Sequence, residues 1–215
     1  MKLLCAIIVV LSCASISRAV INFDDVPSGT LVQNYYPGVT FTVEPGFGLS
    51  AYAWTYLGPS PSSLPNVLTC YDGVGRGPTS IYDVYADFNP PVNGLAFKAV
   101  AADEYGVVGR VRVYSGITLL GIDNIIGTAL TPGTFGNINF ATTNVNLSAY
   151  TNVTRIEIVP PIGQTDLDDA YGGGGLIFDD FTFEAAPEPG SGALLALAGF
   201  AASAARRRRS TRENA

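Results

Sequence analysis

Residues 109–114 read GRVRVY and residues 154–159 read TRIEIV. In each, apolar residues alternate with charged or polar ones, the period of two that an extended strand imposes by sending successive side chains to opposite faces. The alternation puts Val111 and Val113 on one face and Arg110, Arg112 and Tyr114 on the other. In the second stretch Ile156 and Ile158 turn inward, and Arg155 and Glu157 outward. Both are expected as strands with one face on a core and one in water.

Outward from these stretches the chain continues as short β-type runs broken by Gly, Pro, Asn and Asp: INFDDV, GVTFTV, LSAYAWTYL, NVLTCYD, SIYDVYADF, GLAFKAV, TLLGIDNII, GNINFAT and GLIFDDFTF. That makes about ten or eleven strands. No stretch keeps apolar residues at helical spacing over three turns, and 24 glycines and 14 prolines punctuate the 215 residues. The body is predicted to be all-β, a two-sheet antiparallel β-sandwich of jelly-roll-like form, because this many antiparallel strands must stack or close to manage their edges. A closed barrel is the competing architecture. No repeat of fixed period points to a propeller or solenoid.

The ends have a different character. MKLLCAIIVVLSCASISRAV has a basic Lys2, an apolar run from Leu3 to Leu11 and small residues Ser17 and Ala19 before a cut. It is read as a signal peptide over residues 1–19, with signal peptidase as the processing partner. Val10-Leu11-Ser12-Cys13 loosely resembles a lipidation box, which leaves a lipidated Cys13 as a second reading. If the signal leaves, Cys70 is the one thiol of the exported body, residues 20–186, and no internal disulfide can form. Set among apolar and aromatic neighbours in NVLTCYD, it is expected as a small buried hydrophobe.

Between Val20 and Ala186 sixteen acidic residues face five basic ones (Arg76, Lys98, Arg110, Arg112 and Arg155), a net charge of −11. Such a surface repels phosphate, so nucleic acid is excluded as a partner. The chain has no histidine. That removes Ser-His-Asp and Cys-His nucleophiles, histidine-ligated zinc and the HExxH protease. Gly73-Val74-Gly75-Arg76-Gly77 has no helical pattern after it and reads as a turn rather than a phosphate loop.

Three kinds of site stay open. Asn22-Phe23-Asp24-Asp25 and Phe178-Asp179-Asp180-Phe181 place paired carboxylates beside residues that must be buried, near the first and last strands. If those strands are neighbours, Asp24, Asp25, Asp179 and Asp180 supply hard oxygen ligands for a structural Ca²⁺. TDLDDAYGGGG, residues 165–175, lacks the EF-hand pattern and is read as a loop. Tyr52, Trp54 and Tyr56 alternate in AYAWTY. On a regular strand they share one face, which either fills the core or stacks on sugar rings. Two carboxylates also suffice for glycoside hydrolysis. Asp83, Asp87, Asp103 and Glu104 read equally as loop and solvent-face residues, so a secreted carbohydrate hydrolase is the alternative to a non-enzymatic binding protein.

The C-terminal stretch, APEPGSGALLALAGFAASAARRRRSTRENA over residues 186–215, joins Pro187-Glu188-Pro189 to an uncharged run at 190–205 and then to Arg206, Arg207, Arg208 and Arg209. As a helix the run extends for roughly 24 Å, barely a transmembrane span, and the arginines hold its far end and residues 210–215 in the cytoplasm. The three elements in this order, at 187–209, resemble the PEP-CTERM sorting signal, although STRENA continues beyond the arginines where that signal usually ends. The resemblance implies an exosortase as partner, a transient inner-membrane stage, and release to the cell surface or extracellular matrix in association with biofilm exopolysaccharide. A permanently anchored structural or adhesive protein is the other reading of the same tail. Phe23 to Val43, FDDVPSGTLVQNYYPGVTFTV, also resembles the opening of bacterial surface β-sandwich domains.

Overall fold

The computed structural model describes residues 18–45, 49–55, 65–71, 82–102, 106–132, 139–159 and 176–186. Residues 1–17, Tyr56 and the tail from Pro187 onward lie outside them. The described chain forms twelve strands: β1 (Arg18–Ile21), β2 (Thr30–Leu31), β3 (Val39–Val43), β4 (Ser50–Thr55), β5 (Asn66–Tyr71), β6 (Val84–Ala102), β7 (Gly106–Ser115), β8 (Thr118–Gly127), β9 (Ala129–Pro132), β10 (Asn139–Asn146), β11 (Val153–Val159) and β12 (Leu176–Ala185). There is no helix among the described residues, so none there is long and apolar enough to cross a membrane.

Every strand pair is antiparallel, and the ladder is continuous in the order β2-β4-β5-β12-β6-β11-β7-β8. The expected antiparallel all-β body is present, and its twelve strands are joined in one continuous ladder. The cause lies in β6, whose 19 residues merge the SIYDVYADF and GLAFKAV runs. Its first half pairs with β3 and β11, and its second half with β12 and β10. Between the halves Pro90 and Pro91 have no N–H to donate, and Gly94 takes a positive φ of 61°. The strand changes partners there.

The strands meet over aromatic side chains. Phe41 on β3 lies 5.3 Å, centroid to centroid, from Phe181 on β12, which stacks on Phe97 of β6 at 5.0 Å. Phe23 packs edge-on against both Phe41 and Phe181. Val111, Val113 and Ile156 are fully buried and Ile158 nearly so, as the alternation requires. Cys70 is buried and forms no disulfide among the described residues.

β1 and β12 are neighbours, with Arg18 opposite Glu184 and Ile21 opposite Phe181. Arg18 and Ala19, at the end of the expected signal segment, occupy the first two positions of β1. INFDDV does not continue as a strand: β1 ends at Ile21, and Phe23 turns to a φ of 59° to drop its ring into the core.

Candidate functional site

On β4 the small residues Ala51 and Ala53 face the core, and Tyr52 and Trp54 stand half-buried on the opposite face. The aromatic alternation in AYAWTY therefore points outward. Trp54 lies over Gly29, where a Cβ would come 3.8 Å from its ring, and Leu31, the register partner of Tyr52, is exposed beside it.

The same outer face runs across the sheet. Inward positions Ala53, Leu68, Phe178 and Ala99 stand opposite one another on β4, β5, β12 and β6, so Val67, Ile177, Asp179, Lys98 and Val100 lie on the side of Trp54. Beyond a buried strip of Val67, Thr69, Val100 and Ile177 the face opens into a groove of about 560 Å³ between β1, β12, β6 and β10, within the size range of ligand sites. Arg18, Lys98, Asn144, Asn146, Asp180 and Thr182 line it. Lys98 Nζ reaches Asp180 Oδ2 at 2.8 Å, and the Arg18 guanidinium donates to Thr182 Oγ1 at 3.1 Å. Asn144 and Asn146, both exposed, alternate outward on β10. Amide, hydroxyl and charged groups thus share one sheet face with the Tyr52 and Trp54 rings.

The four aspartates expected to hold Ca²⁺ are taken up separately. Asp24 accepts the Asn66 N–H at 2.8 Å, and Asp25 accepts the Tyr36 hydroxyl at 2.6 Å. Burial, and next the hydrogen bond to Asp25, push the Tyr36 hydroxyl well above its usual pKa. Asp179 is buried and accepts the N–H of Asp180, which adopts a φ of 49° and pairs with Lys98. Strand adjacency brings the two ends of the body together without making one ligand set: among the described residues no group of three or more acidic, histidine or cysteine side chains stands ready for a metal.

A second polar face was not singled out from the sequence as a cluster. On the outer side of β3, β6, β11 and β7, Glu157 is buried under its neighbours, accepting from Arg112 at 2.9 Å and from the Tyr114 hydroxyl at 2.9 Å. Asp83 hydrogen-bonds Glu157. Burial, that hydrogen bond, and the charges of Glu157 and Glu44 raise the Asp83 carboxyl to about 6 against the pull of Arg112. Arg155 forks onto Asp87 at 2.6 and 2.9 Å and lies 5.6 Å over the Tyr85 ring. The alternations in VYADF, GRVRVY and TRIEIV carry the signal for this cluster, but only strand order sets these side chains against each other. Carboxyls that serve glycoside hydrolysis stand roughly 5–9.5 Å apart with a sugar between them, whereas Asp83 shares a hydrogen bond with Glu157.

Residues 185–209 match the model of the PEP-CTERM protein-sorting motif. No curated protein sequence matches the chain. Among solved structures it is similar to the K2 cleaved adhesin domain of Lys-gingipain, at 11% identity and a TM-score of 0.45 over 78% of this chain and 97% of that one. It is also similar to the CBM22-2 xylan-binding domain of Paenibacillus barcinonensis Xyn10C, at 11% identity and a TM-score of 0.35 over 78% and 99%. A cyclase from Fischerella sp. TAU aligns at 16% identity and a TM-score of 0.38 over 80% and 100%. All three TM-scores are below 0.5. The chain carries a PEP-CTERM protein-sorting motif at residues 185–209, directly after its all-β body.

Proposed function

We propose that this chain is a non-catalytic surface or matrix protein that holds exopolysaccharide on the outer face of β4, β5, β12, β6 and β10. The sorting motif implies export and processing by an exosortase to the cell surface. The glycan reading is carried by one observation: Tyr52 and Trp54 stand half-buried on the same sheet face as the groove lined by Lys98, Asn144 and Asn146. Aromatic faces stack on the apolar faces of sugar rings, and amides exchange hydrogen bonds with hydroxyls. Signal peptidase and exosortase are the processing partners in this reading, and the inner membrane is a transient one.

Trp54 is the single tryptophan of the chain, so its fluorescence reports directly on this face. Titration of the processed protein with polysaccharide from its host is expected to shift the emission. Trp54→Ala and Asn144→Ala are expected to weaken retention on immobilised polysaccharide by about tenfold each, as loss of one stacking or one paired polar contact does. An unchanged emission together with unchanged retention in both variants refutes the assignment of this face. Release of reducing sugar by the unaltered protein refutes the non-catalytic reading.

A further inference from the structure

The β7–β8 hairpin carries an apolar stripe that neither the sorting motif nor the proposed glycan face uses. β8 lies at the end of the strand order and, among the described residues, pairs with β7 alone. Its ten residues, TLLGIDNIIG, include no Lys, Arg or Pro, the residues that usually blunt an edge strand. Asp123, its one charge, stands opposite the inward Val111 and hydrogen-bonds Tyr150. The outer side carries Leu119, Ile122 and Ile126, which are 46, 52 and 49% exposed, with the exposed Asn124 between the last two. Val107, the partner of Ile126, is 51% exposed, and Ile117 at the hairpin tip is completely so.

With Leu120, six aliphatic side chains are gathered on one hairpin. They present on the order of 500 Å² of apolar surface, more than scattered surface residues do. Two copies would withdraw on the order of 1,000 Å², where specific association begins. Charge does not stand in the way of the same partner. The body at large is strongly acidic, but between Gly106 and Gly127 two arginines, Arg110 and Arg112, face Asp123 alone, and Arg112 is paired with Glu157. Two hairpins therefore meet without the acid-on-acid repulsion that the rest of the surface imposes, and one patch used by both copies is what a two-fold axis requires.

We infer that the β7–β8 stripe is where two copies of this chain associate, hairpin on hairpin. Sedimentation equilibrium of the processed protein recovered from its host tests it. The expected result is a species of twice the monomer mass in the micromolar range. Ile122→Glu is expected to weaken the association by about tenfold or more while leaving the melting midpoint in place. Ile122→Lys, harmful alone, is expected to restore the dimer when mixed with Ile122→Glu, which a merely misfolded variant could not do. A monomer at every soluble concentration, or a dimer indifferent to both substitutions, overturns the inference.

Discussion

Asn66 is buried at the start of β5, where its side-chain amide donates to the carbonyls of Val26 at 2.6 Å and Phe23 at 3.3 Å, and its Oδ1 accepts from Thr55 at 3.0 Å. It fastens the turn that carries Phe23 into the core. Asn66→Ala strands those carbonyls, so a loss of about 2–3 kcal/mol is expected, since each buried group left unpaired costs about 1–3. A fall of roughly 5–10 °C in the thermal midpoint would report it. Asp83 gives a pH signature. Its folded pKa of about 6 lies above the ordinary 3.8, so between those values the folded protein holds a proton that the unfolded chain has released. The stabilisation is fully present below about pH 4 and is lost as pH rises through 6. Asp83→Asn is expected to remove this component and to gain less than ~1 kcal/mol at neutral pH, because the partly exposed site is screened. Urea melts of both proteins at acid and neutral pH, compared as a difference, check the sign.

At the scale of elements, the alternating runs were legible and their ends were not. GRVRVY and TRIEIV became β7 and β11 with the predicted faces, because period-two patterning records which side chains must leave water. SIYDVYADF and GLAFKAV read as two strands and form one, since a strand can pass through Pro90, Pro91 and Gly94 when different partners take up its hydrogen bonds on either side. Gly109 is another position whose role appears only in three dimensions. It sits at a register shift between β7 and β8, where a Cβ would meet Leu176 Cδ1 at 2.8 Å and the Val159 carbonyl oxygen at 3.1 Å. Gly109→Ala is expected to cost about 1–3 kcal/mol through overpacking. Equilibrium unfolding with an unchanged m-value would confirm that the native state alone is affected.

For the whole molecule, separate engagement of Asp24, Asp25, Asp179 and Asp180 leads to a prediction that is simple to check. The thermal midpoint in EDTA is expected to equal that in millimolar Ca²⁺, and a rise with Ca²⁺ would show that an ion gathers ligands these side chains do not assemble by themselves. The intact mass of the protein from its host reads the sorting motif in the same preparation. Loss of Arg206 to Arg209 is the expected outcome, and their retention would mean an anchor. The sequence by itself determined the all-β class, the inward and outward faces of the best-patterned strands, the acidic and histidine-free chemistry, and the sorting motif. Each of these depends on composition or on residues close together along the chain. The tertiary structure decided that Trp54 faces outward on the side of Lys98 and Asn144, that Asp83 meets Glu157, and that β8 ends the sheet. Those relations come from pairing strands far apart in the chain, and local patterning says which face of a strand is wet without saying which strand lies beside it.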